Sequence, residues 1–195
     1  MRDEEDRARF ETLALPHLDA AYNLARWLTR NDHDAEDVLH EALLRAMRYV
    51  GSLRGDNARP WLLQIVRHAC YSWLKENRPA ENLSLDEPRA DGSAPREETL
   101  APAGDEPPAL AMRKADRRRI DGAIAALPIP IREVLVLREF EELAYNDIAR
   151  IAGIPVGTVM SRLSRGRALL RTALSTGTGP TLHAVPRSPR AEGIP

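Results

Sequence analysis

The chain has 195 residues, of which 43% are hydrophobic and 29% are charged, so its composition is that of a globular protein with one or two small domains. Its single cysteine, Cys70, excludes an internal disulfide and any zinc site built from several cysteines. The N-terminus is acidic, and no apolar run reaches the length of a membrane span. We therefore expect no signal peptide and no membrane insertion, and a cytoplasmic location.

The formal net charge of −1 hides an uneven distribution of charge along the chain. Residues 81–112 carry two basic and eight acidic side chains, whereas residues 113–175 carry twelve basic and seven acidic ones. Such a basic unit is a hint of nucleic-acid contact. Only 5% of the residues are aromatic, and long segments of Ala, Leu, Arg and Glu dominate, so we expect an all-α protein.

A Pro-rich acidic segment, residues 80–112, divides the chain into two predicted small helical domains, because it cannot bury enough apolar area to fold alone. We expect this segment to be a flexible, disordered linker between residues 5–79 and residues 113–175, with a flexible tail at 176–195. Proline, turn and capping residues set the helix ends. The predicted helices are 7–14, 16–29, 34–50, 60–77, 113–127, 131–140 and a final pair within 147–171.

The helix predicted at 34–50 has a charged outer face with a leucine at its centre. An apolar residue ringed by charge is typical of a protein-docking patch, but single exposed leucines are also common, and the residues alone leave both interpretations open. The outer face consists of Asp37, Glu41, Leu44 and Arg48. The opposite face is expected to be buried and consists of Ala35, Val38, Leu39, Ala42, Leu43, Ala46, Met47 and Val50.

The same helix carries Glu36, Asp37, His40 and Glu41 at spacings that could place metal ligands on one face. A helical metalloenzyme is therefore one alternative, but the chain has no second helix of this kind to complete a ligand set. It also has no evident nucleophile–base pair and no phosphate-binding loop. We therefore expect no catalytic residue, no metal, no cofactor and no enzymatic activity.

The helix predicted at 60–77 combines an apolar stripe with a mixed face. Basic, amide and aromatic groups on one face suit a nucleic-acid strand, because cations bind phosphates and rings stack on bases. A solvated face is the alternative interpretation. The apolar stripe consists of Leu62, Ile65, Val66, Ala69 and Trp73, and the mixed face consists of Gln64, Arg67, His68, Tyr71, Lys75 and Arg78.

Residues 147–171 are expected to form two helices joined by a tight turn, the helix-turn-helix pattern. Gly153 can end the first helix in the left-handed conformation, and Pro155 lies near the start of the second. No Asp or Glu occurs between Asp147 and Glu192, which favours DNA binding over an ordinary helical hairpin. The second helix is expected to bury Val156, Val159, Leu163, Gly166 and Leu170 and to present Thr158, Ser161, Arg162 and Arg165 to a major groove.

In order and spacing, three segments resemble the extracytoplasmic-function (ECF) subfamily of the bacterial RNA polymerase sigma factors. They are DAEDVLHEALLRAMR (34–48), SLRGDNARPWLLQIVRHACYSWLK (52–75) and ALPIPIREVLVLREFEELAYNDIARIAGIPVGTVMSRLSRGRALLR (126–171). The resemblance implies a factor that binds core RNA polymerase and promoter DNA, recognises −35 and −10 elements, and helps to melt the −10 region.

The resemblance also implies a role for each predicted surface. Asp37, Glu41, Leu44 and Arg48 would dock on the clamp of the largest polymerase subunit, and the flap of the second subunit is a further expected contact. The implied −10 contacts are Asn57, Arg67, His68, Tyr71 and Lys75. The implied −35 residues are Thr158, Ser161, Arg162 and Arg165, with Arg167 and Arg171 on phosphates.

Family members are often held inactive by an anti-sigma factor that covers these faces, and such a partner is a hypothesis for this chain. A one-component helix-turn-helix regulator, acting as a dimer without polymerase, is the alternative function. A disordered linker argues against it, because fixed half-site spacing needs a rigid dimer.

Overall fold

The computed structural model describes residues 2–53, 55, 57–78 and 108–175, and every regular element in those ranges is helical. The all-α prediction is therefore confirmed. Most of the predicted linker and the whole predicted tail lie outside the described residues. Two short 3-10 turns, Leu15–His17 and Val50–Ser52, connect helices of the N-terminal part. The α-helices are α1 (Arg2–Leu13), α2 (Leu18–Thr29), α3 (Asp32–Tyr49), α4 (Ala58–Asn77), α5 (Pro108–Ala125), α6 (Ile129–Glu139), α7 (Tyr145–Ala152) and α8 (Val156–Ser175).

Capping explains where two of the N-terminal helices begin. The Asn31 side chain accepts a hydrogen bond from the backbone N–H of Asp34 at 3.0 Å, so α3 begins at Asp32 and not at Asp34 as predicted. α4 begins at Ala58 and not at Pro60. A proline in the first turn removes no intrahelical hydrogen bond, because the first four N–H groups of a helix have no partner within it.

α5 begins at Pro108 and not at Arg113 as predicted, so the last residues of the predicted linker are helical. Proline is favoured at the first position of a helix because its fixed φ suits the helix and its missing N–H is not needed there. The residues that follow it are strong helix formers by type. The helix therefore starts within the last residues of the segment predicted as a linker.

α2, α3 and α4 pack against one another around the core of the first unit, which comprises α1 to α4. The buried ridge of α3 is narrower than predicted. Ala35, Val38, Ala42 and Ala46 are buried, whereas the neighbouring ridge of the helix becomes exposed toward its C-terminal end. The prediction for Met47 is wrong, since its side chain is 43% exposed. Half-buried positions that were predicted to be buried are Leu39, Leu43, Ile65 and Trp73.

α7 and α8 form the predicted helix-turn-helix of the second unit, which comprises α5 to α8. Gly153 ends α7 in the left-handed conformation, with φ 66°, as predicted. Val159, Leu163 and Gly166 of α8 are buried. A Cβ atom at Gly166 would lie 2.9 Å from Cγ2 of Ile131, so the absence of a side chain allows α8 to approach α6 closely.

The two units pack on each other, with α2 against α6 and α4 against α7. Buried apolar residues of both units belong to one continuous cluster. α6 and α7 therefore both contact the first unit, and α6 also packs against α8. The sequence pattern predicts two domains but not this contact between them.

Candidate protein-binding and DNA-binding surfaces

The outer face of α3 is open to solvent. Asp37, Glu41, Leu44 and Arg48, which we call the docking face, are all exposed, and the Leu44 side chain is 43% exposed. Met47 lies three positions from Leu44, so these two exposed apolar side chains are neighbours on the helix surface. The docking face therefore offers a partner an apolar centre with a charged rim.

The predicted −10 residues fall into two groups. We call Asn57, Arg67, His68, Tyr71 and Lys75 the α4 basic face. Asn57 lies at the N-cap of α4 without a side-chain capping bond, and it is exposed, as are His68 and Lys75. Arg67 and Tyr71 are half-buried where the second unit packs on α4. The structure therefore leaves only part of this face open to solvent.

Arg67 and Tyr71 share one buried carboxylate, that of Glu133 on α6. The Tyr71 hydroxyl donates to Oε2 of Glu133 at 2.8 Å, and Nε of Arg67 donates to Oε1. The Arg67 guanidinium also lies over the Tyr71 ring, 4.3 Å from its centroid. Burial raises the pKa of Glu133, whereas the nearby Arg67 and the hydrogen bonds oppose that rise. Burial also raises the pKa of Tyr71, so its hydroxyl remains a neutral donor.

A basic groove joins the docking face to the α4 basic face. It has a volume of about 430 Å³ and is lined by Arg45, Arg48, Tyr49, Ile65 and His68. Partial burial, followed by the charges of its neighbouring arginines, lowers the pKa of His68. The imidazole is therefore neutral near pH 7 and offers one donor and one acceptor in place of a positive charge.

Most predicted −35 residues lie on the open side of α8. Ser161, Arg165 and Arg171 are exposed and Thr158 is half-buried. The Ser161 hydroxyl donates to the backbone carbonyl of Thr158 at 3.0 Å. Arg165 and Arg171 are therefore cations that the described structure presents to solvent.

Two predicted −35 residues differ from the expectation of an open basic face. Arg162 is half-buried, and its Nε–H is fully buried and donates to no partner within hydrogen-bond distance. Its charge lowers the pKa of both Glu133 and Tyr71, so it lies near the contact between the units. Arg167 donates to Oε1 of Glu139 at 2.6 and 3.1 Å. Acidic groups of α6, which the pattern of α8 alone does not reveal, therefore lie near both arginines: exposed Glu139 pairs with Arg167 on the surface, and buried Glu133 lies near Arg162.

Three charged residues that the sequence analysis did not select are buried, namely Arg132, Glu133 and Glu141. Each of them bonds to the first unit. The available signal was a charged pair, Arg132–Glu133, within the otherwise apolar run 129–137, since such pairs are rarely buried without specific partners. Their partners could not be identified from local spacing.

In the part of the chain that the structure describes, no helix has the length and apolar character needed to span a membrane. Within the same residues, no group of three or more His, Cys, Asp and Glu side chains is arranged to hold a metal ion.

Both units match established protein families. Residues 13–79 match sigma-70 region 2, and residues 117–170 match sigma-70 region 4. The RNA polymerase sigma-H factor of Pseudomonas aeruginosa is 31% identical over 172 residues, which cover 87% of this chain and 88% of that protein. The ECF sigma factor SigM of Mycobacterium tuberculosis is 32% identical over 172 residues, which cover 87% of this chain and 79% of that protein.

A solved structure is also similar. It is that of the sigma factor RpoE in complex with the anti-sigma factor NepR from Bartonella quintana, with a TM-score of 0.65 and 27% identity. The match covers 85% of this chain and 96% of that one. Since both sigma-70 regions occur in the expected order and relatives match along most of their length, the chain belongs to the ECF subfamily of the sigma-70 factors, which direct core RNA polymerase to promoters.

Proposed function

We propose that this sigma factor binds core RNA polymerase through the docking face of α3, a −10 element through α4 and a −35 element through α8. The observation that carries the proposal is the occurrence of both sigma-70 regions, at residues 13–79 and 117–170, on units that each present a matching candidate surface. In this assignment the first unit, α1 to α4, corresponds to the domain predicted at 5–79, and the second unit, α5 to α8, corresponds to the domain predicted at 113–175.

The exposed docking face supports the assignment of α3 to the polymerase. Leu44 would be the apolar anchor, with Asp37, Glu41 and Arg48 around it, on the clamp of the largest subunit. Central apolar anchors contribute most of the binding energy in interfaces of this kind, and surrounding charges set the register. The flap of the second subunit is the proposed contact of the second unit.

The composition of the α4 basic face supports a role in opening the −10 element. Arg67 and Lys75 can bind phosphates, and Tyr71 can stack on an unpaired base. The neutral His68 imidazole and the exposed Asn57 amide can bond to base edges. Binding to unstacked bases would provide the free energy for melting, which costs a few kcal/mol for each extruded base.

The open side of α8 supports recognition of a −35 duplex. Arg165 and Ser161 lie on the exposed surface of the second helix of the helix-turn-helix, the helix that such motifs insert into the major groove. Thr158 and Arg162 adjoin them on the helix, and Arg167 and Arg171 are the proposed phosphate contacts. Two weak sites joined on one polymerase gain affinity through effective concentration.

This function requires binding and no catalytic group of the chain itself, and it would be performed in the cytoplasm. The RpoE relative was solved with an anti-sigma factor. We extend this to a hypothesis that an anti-sigma factor covers the exposed docking face of this chain, because that face has the apolar centre and charged rim of a protein-binding surface.

Run-off transcription with purified core polymerase on a library of upstream DNA fragments tests the proposal. We expect stable binding to core polymerase and discrete new transcription starts that require the chain. A pull-down with core polymerase alone separates docking from DNA recognition. Tight DNA binding without core polymerase, together with no new starts, would instead support a one-component regulator.

A further inference from the structure

Three charged side chains of the second unit are buried in its contact with the first unit. Arg132 is 2% exposed, Glu133 is 0% exposed and Glu141 is 4% exposed. Charged side chains are almost never fully buried unless they are paired, and each of these has a partner on the first unit. The contact between the units is therefore polar as well as apolar.

Arg132 donates a hydrogen bond to the C-terminal end of α2. Its Nη1 donates to the carbonyl oxygen of Trp27 at 3.0 Å, and its Nη2 donates to those of Ala125 and Leu127 at 2.6 and 2.8 Å. Carbonyl groups in the last turn of a helix lack intrahelical donors and carry a partial negative charge. One guanidinium group thus joins α2 to the segment that leads into α6.

Glu141 makes a second connection between the units. Its Oε2 accepts a hydrogen bond from Nη2 of Arg59 at 2.5 Å, and its Oε1 accepts a weak one from the Asn23 amide at 3.4 Å. Beside it, the Phe140 ring lies 5.4 Å from the Trp27 ring in the tilted arrangement that aromatic pairs prefer. The apolar and polar contacts therefore reinforce each other at this point.

Glu133 contacts or lies near candidate DNA-binding residues of both units. Its carboxylate accepts hydrogen bonds from Arg67 and Tyr71 of α4, and the positive charge of Arg162 on α8 is close enough to lower its pKa. The Arg67 Nε–H and the Tyr71 hydroxyl that donate to this carboxylate are not available to a phosphate in the same arrangement. In this arrangement the second unit replaces a nucleic-acid strand as the partner of Arg67 and Tyr71.

The energetics of such a contact allow it to open. Burying an ion pair costs desolvation free energy that largely cancels the attraction between the charges. When the units separate, these groups are hydrated again. The closed and open forms therefore differ in free energy by less than the number of contacts implies. Contacts between domains of one chain are commonly polar, and relative motion is expected for them.

We propose that Arg132, Glu133 and Glu141 form a polar latch that holds the free chain in a closed form, in which the second unit covers Arg67 and Tyr71. The proposal rests on the proposed function in its assignment of α4 to promoter DNA. Single-stranded DNA can then bind fully only to the open form. Its apparent affinity for the free chain is lowered by the fraction of chains that are open.

A charge swap at Arg59 and Glu141 tests the latch, because neither residue belongs to the docking face, the α4 basic face or the candidate −35 residues. Glu141→Lys and Arg59→Glu each place like charges at the contact and should open the chain. The double variant restores opposite charges and should close it again. Glu142→Lys is the matched control, since it makes the same charge change at the neighbouring, exposed position.

Energy transfer between two fluorophores reports the separation of the units. The dyes are attached to cysteines introduced at the exposed positions Glu36 of α3 and Ala168 of α8. The native Cys70 is buried and burial raises the pKa of its thiol, but Glu133 of the second unit also lies near it, so Cys70 is replaced by alanine in every labelled variant. Circular dichroism establishes that each variant is folded, and Arg59→Glu decides the test if Glu141→Lys does not fold.

We expect lower energy transfer in both single variants and wild-type transfer in the double variant and in Glu142→Lys. Glu141→Lys should also bind a short single-stranded oligonucleotide of random sequence about tenfold more tightly than Glu142→Lys does. Unchanged energy transfer in the folded single variants, or equal DNA affinity of the two lysine variants, would overturn the latch. Transcription by the wild-type chain with core polymerase is measured separately, so that its absence would count against the proposed function and not against the latch.

Discussion

The outer faces of α3 and α4 lie side by side in the first unit but have different surroundings. The docking face of α3 is open, with Leu44 43% exposed. On α4, by contrast, Arg67 and Tyr71 are bound to Glu133 of the second unit. The difference implies an order of events. A protein that binds α3 can engage the free chain at once, whereas a DNA strand must first displace the second unit from α4.

The largest effect is expected from placing a charge at the centre of the open face. Leu44→Glu should lower the affinity for core polymerase by about thirtyfold or more, because a central apolar anchor contributes about 2 kcal/mol or more to binding. Leu15→Glu is the control, since Leu15 is 41% exposed and lies outside the docking face. Equilibrium binding to core polymerase measures both variants. Equal affinities of the two variants would contradict the role of α3.

Two arginines on α8, the exposed Arg165 and the half-buried Arg162, allow an open and a partly covered residue to be compared. Arg165→Ala should weaken binding to a −35 duplex by about 1–3 kcal/mol if Arg165 reads a base edge. Arg162→Ala should weaken it too and should also lower the melting temperature, because it removes a positive charge that offsets the cost of burying the Glu133 carboxylate. Titration of duplex DNA and thermal unfolding measure the two effects. A lowered melting temperature in Arg165→Ala alone would reverse the assignment.

Tyrosine reactivity compares the open and covered surfaces directly. Tyr49, at the end of α3, is 61% exposed, whereas Tyr71 lies in the contact between the units. Iodination followed by mass spectrometry should modify Tyr49 at least about tenfold faster than Tyr71 in the free chain, because Tyr71 reacts only when the contact opens. The Glu141→Lys variant should narrow this ratio. Similar rates in the wild type would show that α4 is not covered in solution.

A smaller effect is expected from the titration of His68. Burial and the neighbouring Arg67 and Arg45 lower the pKa of His68 from its ordinary value of 6.5. The ring therefore gains its proton only when the pH falls below 6.5. Because DNA is anionic, affinity for single-stranded DNA should rise by about twofold to fivefold as the pH falls through the lowered pKa, and should change little above 6.5. His68→Gln should lose this step. A step that persists in the variant would assign it to another group.

Features that depend on neighbours in the sequence could be predicted. The open face of α3 follows from helical periodicity, and the turn of the helix-turn-helix follows from the conformational freedom of Gly153. The start of α3, by contrast, was predicted two residues too late, because Asn31 and not a later residue caps the helix. The prediction for Met47 is wrong because periodicity gives the direction of a side chain but not how far the neighbouring helices extend.

The covered part of α4 could not be predicted, because it depends on residues far apart in the chain. Arg67 and Glu133 are 66 positions apart, and Arg132 and Trp27 are 105 positions apart. A basic helix face has the same sequence pattern whether it is exposed to solvent, binds DNA or packs against a second unit of its own chain. Only the buried charges of α6 distinguish these environments, and their meaning depends on their partners.

The decisive measurement is the separation of the two units before and after assembly with polymerase. Fluorophores at positions 36 and 168 should show high energy transfer in the free chain and low transfer once core polymerase and a promoter that it transcribes are added. High transfer retained in a complex that initiates transcription would show that the units need not separate, because Arg67 and Tyr71 would then be covered while the promoter is open.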